Sequence, residues 1–123
     1  MPHLTLEYTK GLIDFDQEEA LLRLNRAIFE TGHFDEIDIK SRTVALDHYA
    51  VGITADKRAF VHAKLSVMSN RSPEIKSTLS KILLQELRRI FPSSSDTHIQ
   101  ICAEIIDIDR GTYEKAVVQP ASS

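Results

Sequence analysis

Apolar and polar residues alternate from the first residues of this chain. Leu4, Leu6 and Tyr8 take turns with Thr5 and Glu7, the two-residue period of a strand with one face buried. The strand is expected to begin at Pro2, with no leader or signal segment before it. Thr9-Lys10-Gly11 reads as a turn. At Asp16 the period changes. Asp16 is a suitable N-cap with Glu19 three residues on, and Ala20, Leu21, Leu24, Ala27 and Ile28 then share one helical face. Gly32 closes this helix. Alternation resumes from Ile37 to Leu46, with Ile37, Ile39, Ser41, Thr43 and Ala45 on one side and Asp38, Lys40, Arg42, Val44 and Leu46 on the other. Ala50 to Ile53 can extend a strand, and Ala55-Asp56-Lys57 is a turn. Ala59, Val61, Ala63, Leu65 and Val67 set the buried side of a third strand. After Ser69-Asn70-Arg71, Ser72 caps a second helix that has Pro73 at its first position. Its stripe is Ile75, Leu79, Ile82, Leu83, Leu87 and Ile90, and Pro92 ends it. Ser93-Ser94-Ser95 is a loop. A fourth strand runs from Thr97 to Ile106, and a tail follows, ending in Pro120-Ala121-Ser122-Ser123.

The order is therefore β-α-β twice. Two pseudo-repeats, about 1–57 and 58–108, plus the tail make a single domain of 123 residues. Each β-α-β unit pairs its strands in parallel. The class is α+β, a four-stranded mixed sheet with two helices on one face. The other sheet face has no second layer within the chain, so further subunits are expected to cover it.

Composition narrows the function classes. Hydrophobic residues make up 42% and charged residues 27%, ordinary globular usage, and the net charge is −3. That balance gives no basic surface for nucleic acid or an anionic membrane. No apolar run approaches the ~20 residues of a membrane span. Cys102 is the single cysteine, so no internal disulfide forms, and a cytoplasmic home is expected. The five histidines show no metal-ligand spacing. Structural or surface roles are expected for His3, His33, His48, His62 and His98, a packing role for Cys102, and solvated positions for Asp107 and Asp109.

The candidate chemistry lies at the start of the first strand. Removal of Met1 would leave Pro2 with a free secondary amine anchored to a strand. An α-amino group titrates near 7.7–8.0, and burial or a nearby cation lowers that value. A base with a pKa near the working pH is suited to moving protons. Lys40 and Arg42 point to the same side of the second strand. Arg71 precedes a helix N-terminus, where backbone N–H groups attract anions. Each of these cations also has a plain reading, as a solvated side chain or a subunit salt bridge.

Pro2-His3-Leu4-Thr5-Leu6-Glu7, Ile39-Lys40-Ser41-Arg42, Phe60-Val61-His62 and Asn70-Arg71-Ser72 together resemble the 5-carboxymethyl-2-hydroxymuconate isomerase family. That family belongs to the tautomerase superfamily, with 4-oxalocrotonate tautomerase and macrophage migration inhibitory factor. The resemblance runs from Pro2 to about Ile108. It implies a homotrimer with sites near subunit interfaces and Pro2 as general base and acid. It also implies tautomerisation of a dienol polycarboxylate to its unsaturated keto form in aromatic catabolism, without metal or organic cofactor. Lys40, Arg42 and Arg71 would bind the substrate carboxylates. Lys40 stands where the family has arginine, so the charge is kept and the bidentate fork is lost; Arg42 offers one nearby. Two rival readings remain: another tautomerase-superfamily enzyme with a different oxo acid, and a non-catalytic trimeric binding protein of the same fold.

Overall fold

The computed structural model describes residues 1–93 and 96–121. Ser94 and Ser95 of the serine loop, and Ser122 and Ser123 of the tail, lie outside the described residues. The strands are β1 (His3–Thr9), β2 (Lys40–Leu46), β3 (Arg58–Met68) and β4 (His98–Ile108). The helices are α1 (Gln17–Phe29) and α2 (Pro73–Ile90). The sheet order is β2-β1-β3-β4. β1 pairs β2 and β3 pairs β4 in parallel, whereas β1 and β3 run antiparallel. The two β-α-β units thus meet back to back along β1 and β3.

Both helices start where side-chain caps allow. The Asp16 carboxylate accepts from the Glu19 amide at 3.0 Å, and the Ser72 hydroxyl from the Ile75 amide at 3.2 Å. Each cap satisfies a backbone donor that the first turn leaves without a partner, a contribution of about 1 kcal/mol. α1 stops at Phe29, and Gly32 then takes a φ of 80°, a left-handed turn that suits glycine.

The core lies between the helices and one sheet face. Leu4 and Leu6 of β1, Val61 and Leu65 of β3, Leu24 and Ile28 of α1 and Leu79, Leu83 and Leu87 of α2 are all fully buried. A buried leucine or isoleucine contributes roughly 1.5–3 kcal/mol. β1 is central, so its backbone is held on both sides, and the residue just before it inherits a fixed position. On the opposite sheet face polar and apolar side chains mix, and most are partly exposed. Lys64 pairs with Glu7 at 2.9 Å, and His62 with Glu104 at 2.7 Å. No further helix or strand among the described residues covers that face.

The structure corrects four details of the pattern reading. The second strand starts at Lys40, not Ile37, because Glu36–Asp38 forms a 3₁₀ turn. Ile37 is 81% exposed, and only Ile39 of that pair is buried. Ala50 to Ile53 is not strand: Gly52 has a φ of 71° and Ile53 is wholly exposed. Cys102 is exposed on the open sheet face instead of packed. Asp107 is not simply solvated, since Lys76 of α2 donates to it at 3.1 Å.

Candidate active site

One end of the sheet gathers the start of β1, the start of β2 and the end of β3, because β1 and β2 are parallel and β3 opposes them. Pro2 sits there fully buried. Its carbonyl accepts from the Lys40 amide at 3.1 Å. The residue is therefore fixed both by its ring and by its backbone.

The Met1 amine lies in a cationic setting. Burial first, then a hydrogen bond from Lys40, lower its pKa to about 6 from an ordinary value of 8.0. The charges of Lys40 and Lys115 act in the same direction, and Asp38 opposes them. Lys40 also donates to the Asp38 carbonyl. Lys115 of the tail donates to the Asp38 carboxylate at 3.0 Å, and that bond holds the Asp38 carboxyl below its usual range. An amine with these surroundings is neutral at pH 7 and can accept a proton.

Arg42 stands two residues beyond Lys40 on the same face. Its Nη2 lies 2.7 Å from His3 Nδ1. The other ring nitrogen, Nε2, lies 3.0 Å from the Tyr113 hydroxyl. Burial, then Arg42 and Lys40, push the His3 pKa down, so the ring is neutral at pH 7. The tail reaches this end through a turn in which Gly111 and Thr112 donate to Asp109. It then crosses from β4 to β1 at Tyr113 and to the start of β2 at Lys115.

Arg71 is placed differently. Its Nη2 donates to the His33 carbonyl at 3.1 Å, and its guanidinium lies 4.6 Å from the centroid of the Phe34 ring. Phe34 is buried. Arg71 thus fastens the loop between α1 and β2, so the plain alternative of a solvated loop side chain does not hold. Truncation removes a cation–π contact and a charge-assisted hydrogen bond. Arg71→Ala is expected to lower stability by about 1–3 kcal/mol, which a urea titration reads as a lower midpoint with unchanged slope.

Of the residues singled out in the sequence, Pro2 and Lys40 adjoin, Arg42 reaches them through His3, and Arg71 is occupied with the neighbouring loop. Tyr113 and Lys115 gave no sequence signal, because the contacts that bring them here span the chain, and Asp38 was placed beside Lys40 without a role. His3 carried a weak one: it alternates onto the side that Lys40 and Arg42 share across the β1–β2 register. A groove of about 680 Å³ lined by Arg23, Arg26, Glu86 and Arg89 lies on the helical layer and shares no residue with the amine site. Among the described residues, no cluster of three or more His, Cys, Asp or Glu can hold a metal ion. None of the helices among the described residues is long and apolar enough to cross a membrane.

The model of the family of 5-carboxymethyl-2-hydroxymuconate isomerases matches residues 2–120. The chain belongs to that family. It is an isomerase with the tautomerase fold. A 5-carboxymethyl-2-hydroxymuconate isomerase from Deinococcus radiodurans R1 is 30% identical, with a TM-score of 0.86, over 94% of this chain and 88% of that one. A 5-carboxymethyl-2-hydroxymuconate delta-isomerase superposes with a TM-score of 0.76 at 16% identity, over 100% and 96% of the two chains. A fused 4-OT wild-type symmetric trimer gives 0.70 at 15% identity, over 93% and 91%. At these lower identities the likeness is one of fold. No curated protein matches this sequence.

Proposed function

We propose that this family member is a cofactor-independent isomerase that converts 5-carboxymethyl-2-hydroxymuconate, or a closely similar dienol polycarboxylate, to its unsaturated keto form. The observation that carries the reading is an amine at the start of a central strand, hydrogen-bonded by Lys40 and with its pKa held at about 6. Removal of Met1 transfers the amine to Pro2, whose carbonyl is already bonded to the Lys40 amide. Ketonisation needs one base that takes the enol proton from oxygen and returns a proton to carbon. It also needs cations that hold carboxylates and oppose the charge on the enolate oxygen. Pro2 takes the first role, and Lys40 with Lys115 the second. Arg42 and Arg71 are already engaged, so their part in carboxylate binding depends on releasing or sharing those partners.

An ultraviolet assay of dienol-to-ketone conversion across a panel of muconate-like acids tests the reading. Rapid conversion of the carboxymethyl dienol above the solvent rate supports it; turnover of a different oxo acid alone assigns another tautomerase activity. No turnover at all leaves the binding-protein reading.

The assembly proposed with this function is a homotrimer with its sites near subunit interfaces. The open sheet face supports it, since the Lys64–Glu7 ion pair and partly exposed apolar residues such as Phe60 and Ile106 lie there with no helix or strand among the described residues over them. Sedimentation at micromolar concentration is expected to give three times 13.9 kDa. A stable monomer would remove this assembly.

A further inference from the structure

The hydrogen-bond chain Arg42–His3–Tyr113 has a direction. A guanidinium only donates, so His3 Nδ1 must accept from Arg42. A neutral imidazole then carries its proton on Nε2 and donates it to the Tyr113 oxygen. The phenol accepts there, which leaves its own proton to be given elsewhere. Tyr113 is half-buried, with its ring edge-on to His3 at a centroid distance of 6.0 Å. Its neighbour in the tail, Lys115, is among the charges that act on the terminal amine. Three residues from three segments, Arg42, His3 and Tyr113, therefore form one directed chain beside the start of β1, with the phenol proton left over to donate.

We infer that Tyr113 is a substrate-contacting hydrogen-bond donor of this site, with His3 and Arg42 as the positioning residues behind it. The inference rests on the isomerase reading above. In ketonisation the enol O–H bond breaks as its proton passes to the amine, and a C–H bond forms as the amine gives a proton to carbon. Between the two steps the oxygen carries negative charge. Tyr113 donates to that oxygen and keeps its proton throughout, so it stabilises the charged species more than the neutral dienol. An interaction of that kind acts on kcat and leaves KM little changed. Arg42 accordingly acts through His3, not as a direct clamp on a carboxylate.

Tyr113→Phe keeps the ring and removes the donor. Its kcat is expected to fall on the order of 10²-fold with KM nearly unchanged. An equal kcat overturns the inference and leaves the isomerase reading in place. The ¹⁵N spectrum of the histidines needs no turnover. A neutral His3 protonated on Nε2 supports the chain, and one protonated on Nδ1 overturns it. If wild-type protein is inert towards the dienol, the proposed substrate fails. A titration with maleate, an unreactive planar dicarboxylate, then decides the role of Tyr113. Loss in Tyr113→Phe of the His3 shift that maleate causes in wild type upholds the contact; no shift in wild type, or the same shift in both proteins, overturns it.

Discussion

Pro2→Ala is expected to lower kcat/KM by something on the order of 10²–10⁴-fold, the loss typical of a general base, while the fold survives. The fold should persist because β1 is held by its own ladder from His3 onward and by Leu4 and Leu6 in the core. Pro2 contributes one carbonyl bond to Lys40, which alanine keeps. The variant still frees an α-amine after Met1 removal, but a primary one without the ring that fixes Pro2 against the core. Far-ultraviolet circular dichroism with the kinetic assay separates the two outcomes. A variant as active as wild type would show that the ring and the secondary amine do not matter. The rate should also fall on the acid side. Burial and Lys40 lower the pKa of the Met1 amine to about 6, and the same surroundings are expected to lower that of a freed Pro2 amine. Activity is expected to be present above the lowered pKa, where the amine is neutral, and lost below it.

Lys40→Ala is expected to weaken catalysis by two routes at once. In the proposed mechanism it removes a cation that holds a substrate carboxylate, a charge-assisted contact of roughly 1.5–3 kcal/mol. It also removes the largest lowering influence on the amine after burial. The amine pKa therefore rises towards 8.0, and the acid limb of the pH–rate profile moves up in the same direction. At pH 7 more of the base is protonated and idle, whereas at pH 9 that part of the loss disappears. A residual defect at pH 9 reports the lost substrate contact alone. An acid limb that stays in place in Lys40→Ala would mean that Lys40 does not act on the amine.

Fold and site were legible to different degrees. The sheet was readable because each buried strand face carries its own two-residue alternation, as in Leu4-Leu6-Tyr8 and Ala59 to Val67, and each helix its own cap. The start of the second strand was not. Ile37 and Ile39 satisfy a strand pattern equally well, and only the 3₁₀ turn at Glu36–Asp38 separates the exposed one from the buried one. Pro2 and Lys40 stood out because chemistry and position coincide in short local motifs. Tyr113 and Lys115 lie in a tail without periodicity, and their partners His3 and Asp38 are far away in sequence. The contacts of Arg71 were hidden for a related reason: the buried ring of Phe34 beneath it is set by tertiary packing.

The most direct measurement compares two forms of the same chain in the ultraviolet dienol assay, one ending in Pro2 and one retaining Met1, their termini fixed by mass spectrometry. In the first the secondary amine is free; in the second the Pro2 nitrogen is tied up in a peptide bond. The Pro2-terminated form is predicted to isomerise the dienol, and the Met1-bearing form to be slower on the order of 10²-fold or more. Equal rates in the two forms would contradict the amine as the base and move the search to a carboxylate or histidine.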